Sequence, residues 1–216
     1  MSLAGNDTRA IIEIGRRLAE RGLVAGTDGN LSVRVADDGV LITASGRPKG
    51  YLRPDDLVEV SLNGQSPIGA SPPSSECDMH LSVYRARPDI GACVHAHPPH
   101  ATAFAITGQA LPSGVLPEVV VFVGDIPLTE YAPPGTPAVG ASLAPYLKGH
   151  NAFLLRNHGV LTVGRTLEEA YHRMETVEHY ARIILLARGL GVPEQIPPDD
   201  MARLTTLRSM YEQEDQ

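Results

Sequence analysis

Tryptophan is absent from this 216-residue chain and aromatic residues make up 5% of it, so no aromatic platform for stacking nucleic-acid bases is expected. Basic residues are in deficit as well. Lys and Arg number 18 against 25 Asp and Glu, a formal charge of −7, which argues against nonspecific binding to nucleic acid. Cysteine occurs only at Cys77 and Cys93, too few for a disulfide framework, and the expected compartment is a reducing cytoplasm. No apolar run approaches membrane-spanning length. The opening Met1-Ser-Leu-Ala-Gly-Asn-Asp lacks the basic and apolar regions of a signal peptide. Neither nucleic acid nor membrane is therefore an expected partner. What remains is 43% hydrophobic and 20% charged residues, a composition that supports a proper core. The length suits one domain over residues 1–216 better than two small ones.

Asn6 or Asp7 is placed to cap a first helix in which Ile11, Ile14 and Leu18 recur at helical spacing, with a stop near Gly22. The polar turn Thr27-Asp28-Gly29-Asn30 leads into Leu31–Val35, which alternates as a half-buried strand does. Asp37-Asp38-Gly39 reads as a hairpin turn into Val40–Thr43, and Ser45-Gly46 breaks that strand. Leu57–Val60 is a further strand. The loop Gly69–Glu76 runs into a helix over Cys77–Arg87, with Ser74 or Ser75 as its N-cap. Ile90–His97 reads as a strand, Ala101–Ile106 as the start of a helix, and the β-branched run Val119–Val123 as a buried strand. A helix around Val139–Leu147, a strand at Asn151–Leu155 and a long helix from the capping box at Thr166–Glu169 to about Arg188 complete the pattern. The polar segment Pro193–Asp200 precedes a short terminal helix. Helices and strands interleave and the early strands form hairpins, so an α/β fold with a mixed or largely antiparallel sheet is expected.

The chemistry concentrates at strand ends. His95 and His97 are alternate residues, so on a strand they project from one face, and Pro98-Pro99 stops the strand just beyond them. Neutral imidazole suits a borderline cation such as zinc. His158 repeats the arrangement after Asn151–Leu155. If the two strands are close, three histidines would leave a fourth position open, as a catalytic site requires; otherwise they are strand-end histidines bonded to backbone. Glu76 at a helix start is either a carboxylate favoured by the helix dipole or a general base tuned by a nearby metal. Hydroxyls and free N–H groups at that helix start would suit an anion, and the small polar loops at Asn30 and Ser45-Gly46 could close on it. Glu175 and His179, one helical turn apart, are a weaker candidate pair. His80, His100 and His150 carry no supporting pattern.

In order, Gly29-Asn30-Leu31-Ser32, Leu41–Gly46, Pro73-Ser74-Ser75-Glu76, His95-Ala-His97-Pro98 and Asn157-His158-Gly159 resemble the class II aldolase/adducin family, most nearly its fuculose-phosphate aldolase branch. The resemblance spans almost the whole chain. It implies a three-layer α/β/α fold around a mainly antiparallel sheet, and a homotetramer with active sites at subunit interfaces. It implies that His95, His97 and His158 ligate Zn2+ (Mn2+ or Co2+ being alternatives), with Glu76 as acid/base and further metal ligand. Gly29, Asn30, Ser45, Gly46, Ser74 and Ser75 would hold a substrate phosphate, and Tyr211 would contribute as a C-terminal catalytic tyrosine. The implied activity is aldol cleavage of a ketose 1-phosphate, a small phosphorylated sugar, to dihydroxyacetone phosphate and an aldehyde. Decarboxylases, epimerases and dehydratases of sugar phosphates or sugar acids share this site, and the adducin branch uses the fold for protein interaction alone. In the branch's aldolases a neighbouring subunit supplies an acid tyrosine; here the stretch is Leu116-Pro117-Glu118-Val119-Val120, with only Glu118 or Tyr131 nearby.

Overall fold

The computed structural model describes residues 3–36, 38–67 and 70–214. At its centre is a six-stranded sheet of β1 (Asn30–Ala36), β2 (Gly39–Thr43), β3 (Leu57–Ser61), β4 (Ala92–Ala96), β5 (Ala152–Leu155) and β6 (Gly159–Gly164), in the order β3-β2-β1-β4-β6-β5. Every neighbouring pair is antiparallel. The helices are α1 (Leu3–Glu20), α2 (Cys77–Ala86), α3 (Pro99–Ile106), α4 (Pro117–Phe122), α5 (Pro137–Leu143), α6 (Leu167–Arg188) and α7 (Pro198–Glu214).

Alternation along the strands sorts the core into two layers. Leu31, Val33, Ala92, Val94 and Val160 pack with Ile11 and Leu18 of α1 and with Tyr171 and Met174 of α6. The opposite face carries Val40, Ile42, Cys93 and Leu161, covered by Met79 and Val83 of α2 and Val139 of α5. The result is the α/β/α arrangement expected, with the sheet antiparallel throughout. β4 sits between β1 and β6, so residues at its end are flanked by strand on both sides.

Four local expectations are corrected. Val119–Val123 is not a strand: Val119–Phe122 lies in α4 and Val123 is its C-cap. Pro117 opens that helix, where its missing N–H costs nothing, and packing of α4 against α6 and α7 overrides the β-propensity of three valines. The first helix begins at Leu3 rather than after a cap at Asn6 or Asp7, and Asn6 instead accepts from Arg9 on its surface. The residue flanking α2 is Glu76, and neither serine is its N-cap; the Ser74 hydroxyl accepts from the Glu76 N–H at 3.3 Å. The helix expected around Val139–Leu147 ends at Leu143. β6, buried along its whole length, was not foreseen. The β1–β2 hairpin is present, with Ala36 opposite Gly39; Asp37 lies outside the described residues. The box at Thr166 forms with a changed partner: Thr166 accepts from the Glu169 N–H at 3.1 Å, while Glu169 reaches back to the Arg165 N–H at 2.7 Å.

Candidate metal centre

β4 pairs with β6 through His95↔Leu161 and Ala96↔Val160, which sets the turn between β5 and β6 beside the end of β4. That turn carries His158. The three imidazoles of His95, His97 and His158 meet edge to face, with ring centroids 4.7–5.0 Å apart. One nitrogen from each lies within 4.8 Å of the others, the one such cluster among the described residues.

Glycine makes this approach possible at two points. A Cβ on Gly159 would lie 2.5 Å from His97 Cδ2 and 2.6 Å from the Ala96 carbonyl. A Cβ on Gly29, whose φ is +74°, would lie 2.6 Å from the His95 carbonyl. The backbone before β1 therefore touches the end of β4.

Polar partners place the proton on two of the rings. His95 Nδ1 is 2.8 Å from the Val160 carbonyl, which can only accept, so the proton is on Nδ1 and the Nε2 lone pair is bare. His97 Nδ1 faces the Asp28 carboxylate at 3.4 Å, which favours the same tautomer. The two Nε2 atoms are 3.2 Å apart. Glu76 closes the set, its Oε2 3.2 Å from His95 Nε2 and its Oε1 3.3 Å from His158 Nε2.

Converging lone pairs of this kind require a positive charge among them, from protons or from a metal. Burial opposes protons on the rings: it pushes His158 down to about 4, with His95 adding to the effect, and lowers His97 likewise. Burial would raise the Glu76 carboxyl, but His95, His158 and the Asn30 amide together outweigh it and hold it below the usual carboxylate range. Glu76 Oε1 is buried without a hydrogen-bond partner. Nitrogens bound at about 2.0–2.1 Å to one tetrahedral ion stand about 3.3 Å apart, close to the His95–His97 spacing. The donor set fits a divalent cation.

The loops proposed for an anion are brought close to one another. Ser45 N–H donates to the Pro72 carbonyl at 3.0 Å and Ser74 N–H to the Thr43 carbonyl at 3.0 Å, so the Ser45-Gly46 and Ser74-Ser75 loops lie side by side. Asn30 Nδ2 donates to Glu76 Oε2 at 2.9 Å. Sequence reasoning missed the residue that joins the third loop. Lys49, 2% exposed, donates from Nζ to the Thr27 carbonyl at 2.9 Å and to the Arg47 carbonyl. A lysine three residues after a Ser-Gly break was the available signal. Asp28 and His80 were also passed over.

Tyr211 stands elsewhere, on α7 with its ring 5.7 Å from that of Phe122 in α4. Tyr131 is 57% exposed. Of the pair Glu175 and His179, Glu175 is engaged by Arg21 at 3.1 Å, and neither belongs to a group of three or more metal-binding side chains among the described residues. His100 is taken up by Glu178, whose carboxylate lies 2.6 Å from Nδ1 and accepts from the first N–H groups of α3.

An antiparallel α/β/α fold with a three-histidine site facing a carboxylate defines a metal-binding enzyme class, and comparison with known proteins places the chain within it. Residues 9–185 match the Class II Aldolase and Adducin N-terminal domain, and the chain belongs to that family. It is 37% identical over 194 residues to a 5-methylthioribulose-1-phosphate/5-deoxyribulose-1-phosphate aldolase of Rhodospirillum rubrum, covering 90% of this chain and 87% of the relative. It is 34% identical to a 3-oxo-tetronate 4-phosphate decarboxylase of Pectobacterium atrosepticum, covering 90% of each. Among solved structures, an L-fuculose 1-phosphate aldolase superposes with a TM-score of 0.88 at 33% identity over 98% of both chains.

Proposed function

We propose that the protein is a divalent-metal-dependent aldolase that cleaves a ketose 1-phosphate to dihydroxyacetone phosphate and an aldehyde. The observation that carries the reading is the convergence of Glu76 and one imidazole nitrogen from each of three histidines on one place. His95, His97 and His158 would hold the ion, with Glu76 as a further ligand in the resting site; zinc suits the nitrogen donors best, with manganese or cobalt as alternatives. When bound, the ion supplies Lewis-acid stabilisation of the negative charge left on oxygen as the carbon–carbon bond breaks.

The chain's own residues do the rest. Glu76, ionised in the free site, takes the proton released by the hydroxyl at the cleaved bond as that oxygen becomes the aldehyde carbonyl, and gives it to the new carbanionic carbon, completing dihydroxyacetone phosphate. Asn30, Ser45, Gly46, Ser74 and Ser75, with the Gly29 turn, hold the phosphate and so orient the reacting carbons. Lys49 keeps two of these loops in place through its carbonyl contacts. We assign Tyr211 to the site of a neighbouring subunit in a homotetramer, a reading supported by the exposure of Phe122 and Tyr211, whose rings lie side by side. Buried, unpaired Cys77 and Cys93 are in keeping with a reducing cytoplasm.

Decarboxylation of a phosphorylated keto acid is the second reading. It is favoured by the decarboxylase relative and by the absence of tyrosine from Leu116–Val120. Loss of carbon dioxide leaves the same kind of charge for the same residues to manage. Metal analysis of the purified protein, followed by a screen against ketose 1-phosphates and phosphorylated keto acids, separates the readings. Release of dihydroxyacetone phosphate supports the aldolase and release of carbon dioxide the decarboxylase. A protein that takes up no divalent metal and turns over neither class would instead be a noncatalytic interaction module.

A further inference from the structure

β1 and α2 face each other through polar side chains that alternate between them. Glu76, His80 and Tyr84 recur every four residues, and Asn30 and Ser32 are alternate residues on β1. Starting from the site, Asn30 Nδ2 donates to Glu76 Oε2 at 2.9 Å. His80 Nε2 lies 2.5 Å from Asn30 Oδ1. Ser32 Oγ is 2.6 Å from His80 Nδ1 and 2.8 Å from the Tyr84 hydroxyl. His80 and Ser32 are fully buried and Asn30 is 3% exposed, so each of these bonds is costly to lose.

The run has only one workable polarity. An ionised Glu76 can only accept, so Asn30 must turn its NH2 toward the carboxylate and its carbonyl toward His80. His80 Nε2 then carries the proton. Its Nδ1 accepts from the Ser32 hydroxyl, whose oxygen accepts from Tyr84. The reverse polarity would set the Asn30 carbonyl against the Glu76 carboxylate. Burial keeps the His80 ring neutral, pushing it down to about 3, so nothing in the ordinary pH range supplies a second proton that would blur the direction.

We propose that His80 is a positioning residue that locks the Asn30 amide, so that Asn30 presents a donor to the site and never an acceptor. The end of β1 is thereby committed to anionic groups, the Glu76 carboxylate in the free site and an oxygen of a substrate phosphate in the occupied one. The second half of this statement rests on the phosphate-binding reading of Asn30; the first does not.

Two measurements test it. In metal-free wild-type protein with 15N-labelled histidine, the His80 ring, identified by its loss in His80→Gln, is expected in the neutral Nε2–H tautomer from pH 8 to pH 5. An Nδ1–H tautomer, or protonation within that range, overturns the proposal. Calorimetry with inorganic phosphate on the zinc-loaded protein then compares His80→Gln, which keeps an N–H facing Asn30, with His80→Leu, which does not. The leucine variant should bind phosphate about ten-fold more weakly, in line with one lost bond to a charged group, while the glutamine variant stays within about three-fold and zinc affinity holds in both. Undiminished phosphate binding in His80→Leu overturns the proposal. So does a parallel loss of zinc and phosphate affinity, which marks a merely structural histidine. If wild-type protein ignores phosphate yet shows the Nε2–H tautomer, the phosphate reading fails while the hold of His80 on Asn30 stands.

Discussion

Lys49 places its ammonium on the Thr27 carbonyl, 2.9 Å away, and so ties the turn before β1 to the loop after β2. Replacing it with methionine keeps most of the stem and removes the donors. Lys49→Met should raise KM for a phosphorylated substrate about ten-fold, the effect of roughly one charge-assisted bond, with kcat changed much less. Burial pushes Lys49 down to about 8, so between pH 8 and 10.5 the unfolded chain holds more of this proton than the native one. Stability from this group therefore rises with pH across that window. Urea melts should show the wild-type advantage over Lys49→Met growing from pH 8 to 10.5; a flat difference would contradict it.

Glu76→Gln keeps the shape of the side chain and removes its basicity. Turnover should fall by about 10²–10⁴-fold, the usual contribution of a positioned acid or base, with the melting temperature little changed. Steady-state kinetics on the metal-loaded variant decide the matter, and full activity would end the assignment.

Gly159→Ala puts a methyl where the His97 ring and the Ala96 carbonyl already stand, at 2.5 and 2.6 Å. Backbone must shift to admit it, at a cost of about 1–3 kcal/mol. The variant should melt earlier and bind zinc at least ten-fold more weakly in a chelator competition. Unchanged zinc affinity would mean that the turn can move without disturbing His97.

Acid should unfold the metal-free protein through its histidines. Burial lowers His80 to about 3 and His158 to about 4, and lowers His97 too. Below the ordinary imidazole value of about 6.5 the unfolded chain takes up protons that the native one refuses, so stability present at pH 7 is lost as pH falls toward 4. Denaturant midpoints at pH 7 and pH 5 should differ clearly for wild type and less for His158→Gln.

The His95–His97 half of the histidine cluster was legible because H-x-H on a strand, stopped by two prolines, states both the spacing and the end of the element. His158 followed from the same grammar. Lys49, Asp28 and His80 were illegible for a common reason: each acts through a partner distant in sequence, on Thr27, His97 and Asn30 respectively, and no local spacing announces such a contact. Val119–Val123 misled because strand propensity in four valines is a local preference, whereas the decision was made by α6 and α7. A mixed or largely antiparallel sheet was readable from the hairpins, but β6 is buried along its whole length and so lacks the alternation that marks a half-buried strand.

His97 and His158 belong to segments separated by α3, α4 and α5, and meet only because β4 and β6 lie side by side. An ion gripped by both would close that long excursion of chain as a covalent cross-link does, restraining the unfolded ensemble as well as serving chemistry. Both cysteines are buried and unpaired, so among the described residues such an ion would be the natural staple of the fold. Stripping the metal should therefore loosen the α3–α5 segment first, and reloading it should restore rigidity far from the ligands themselves.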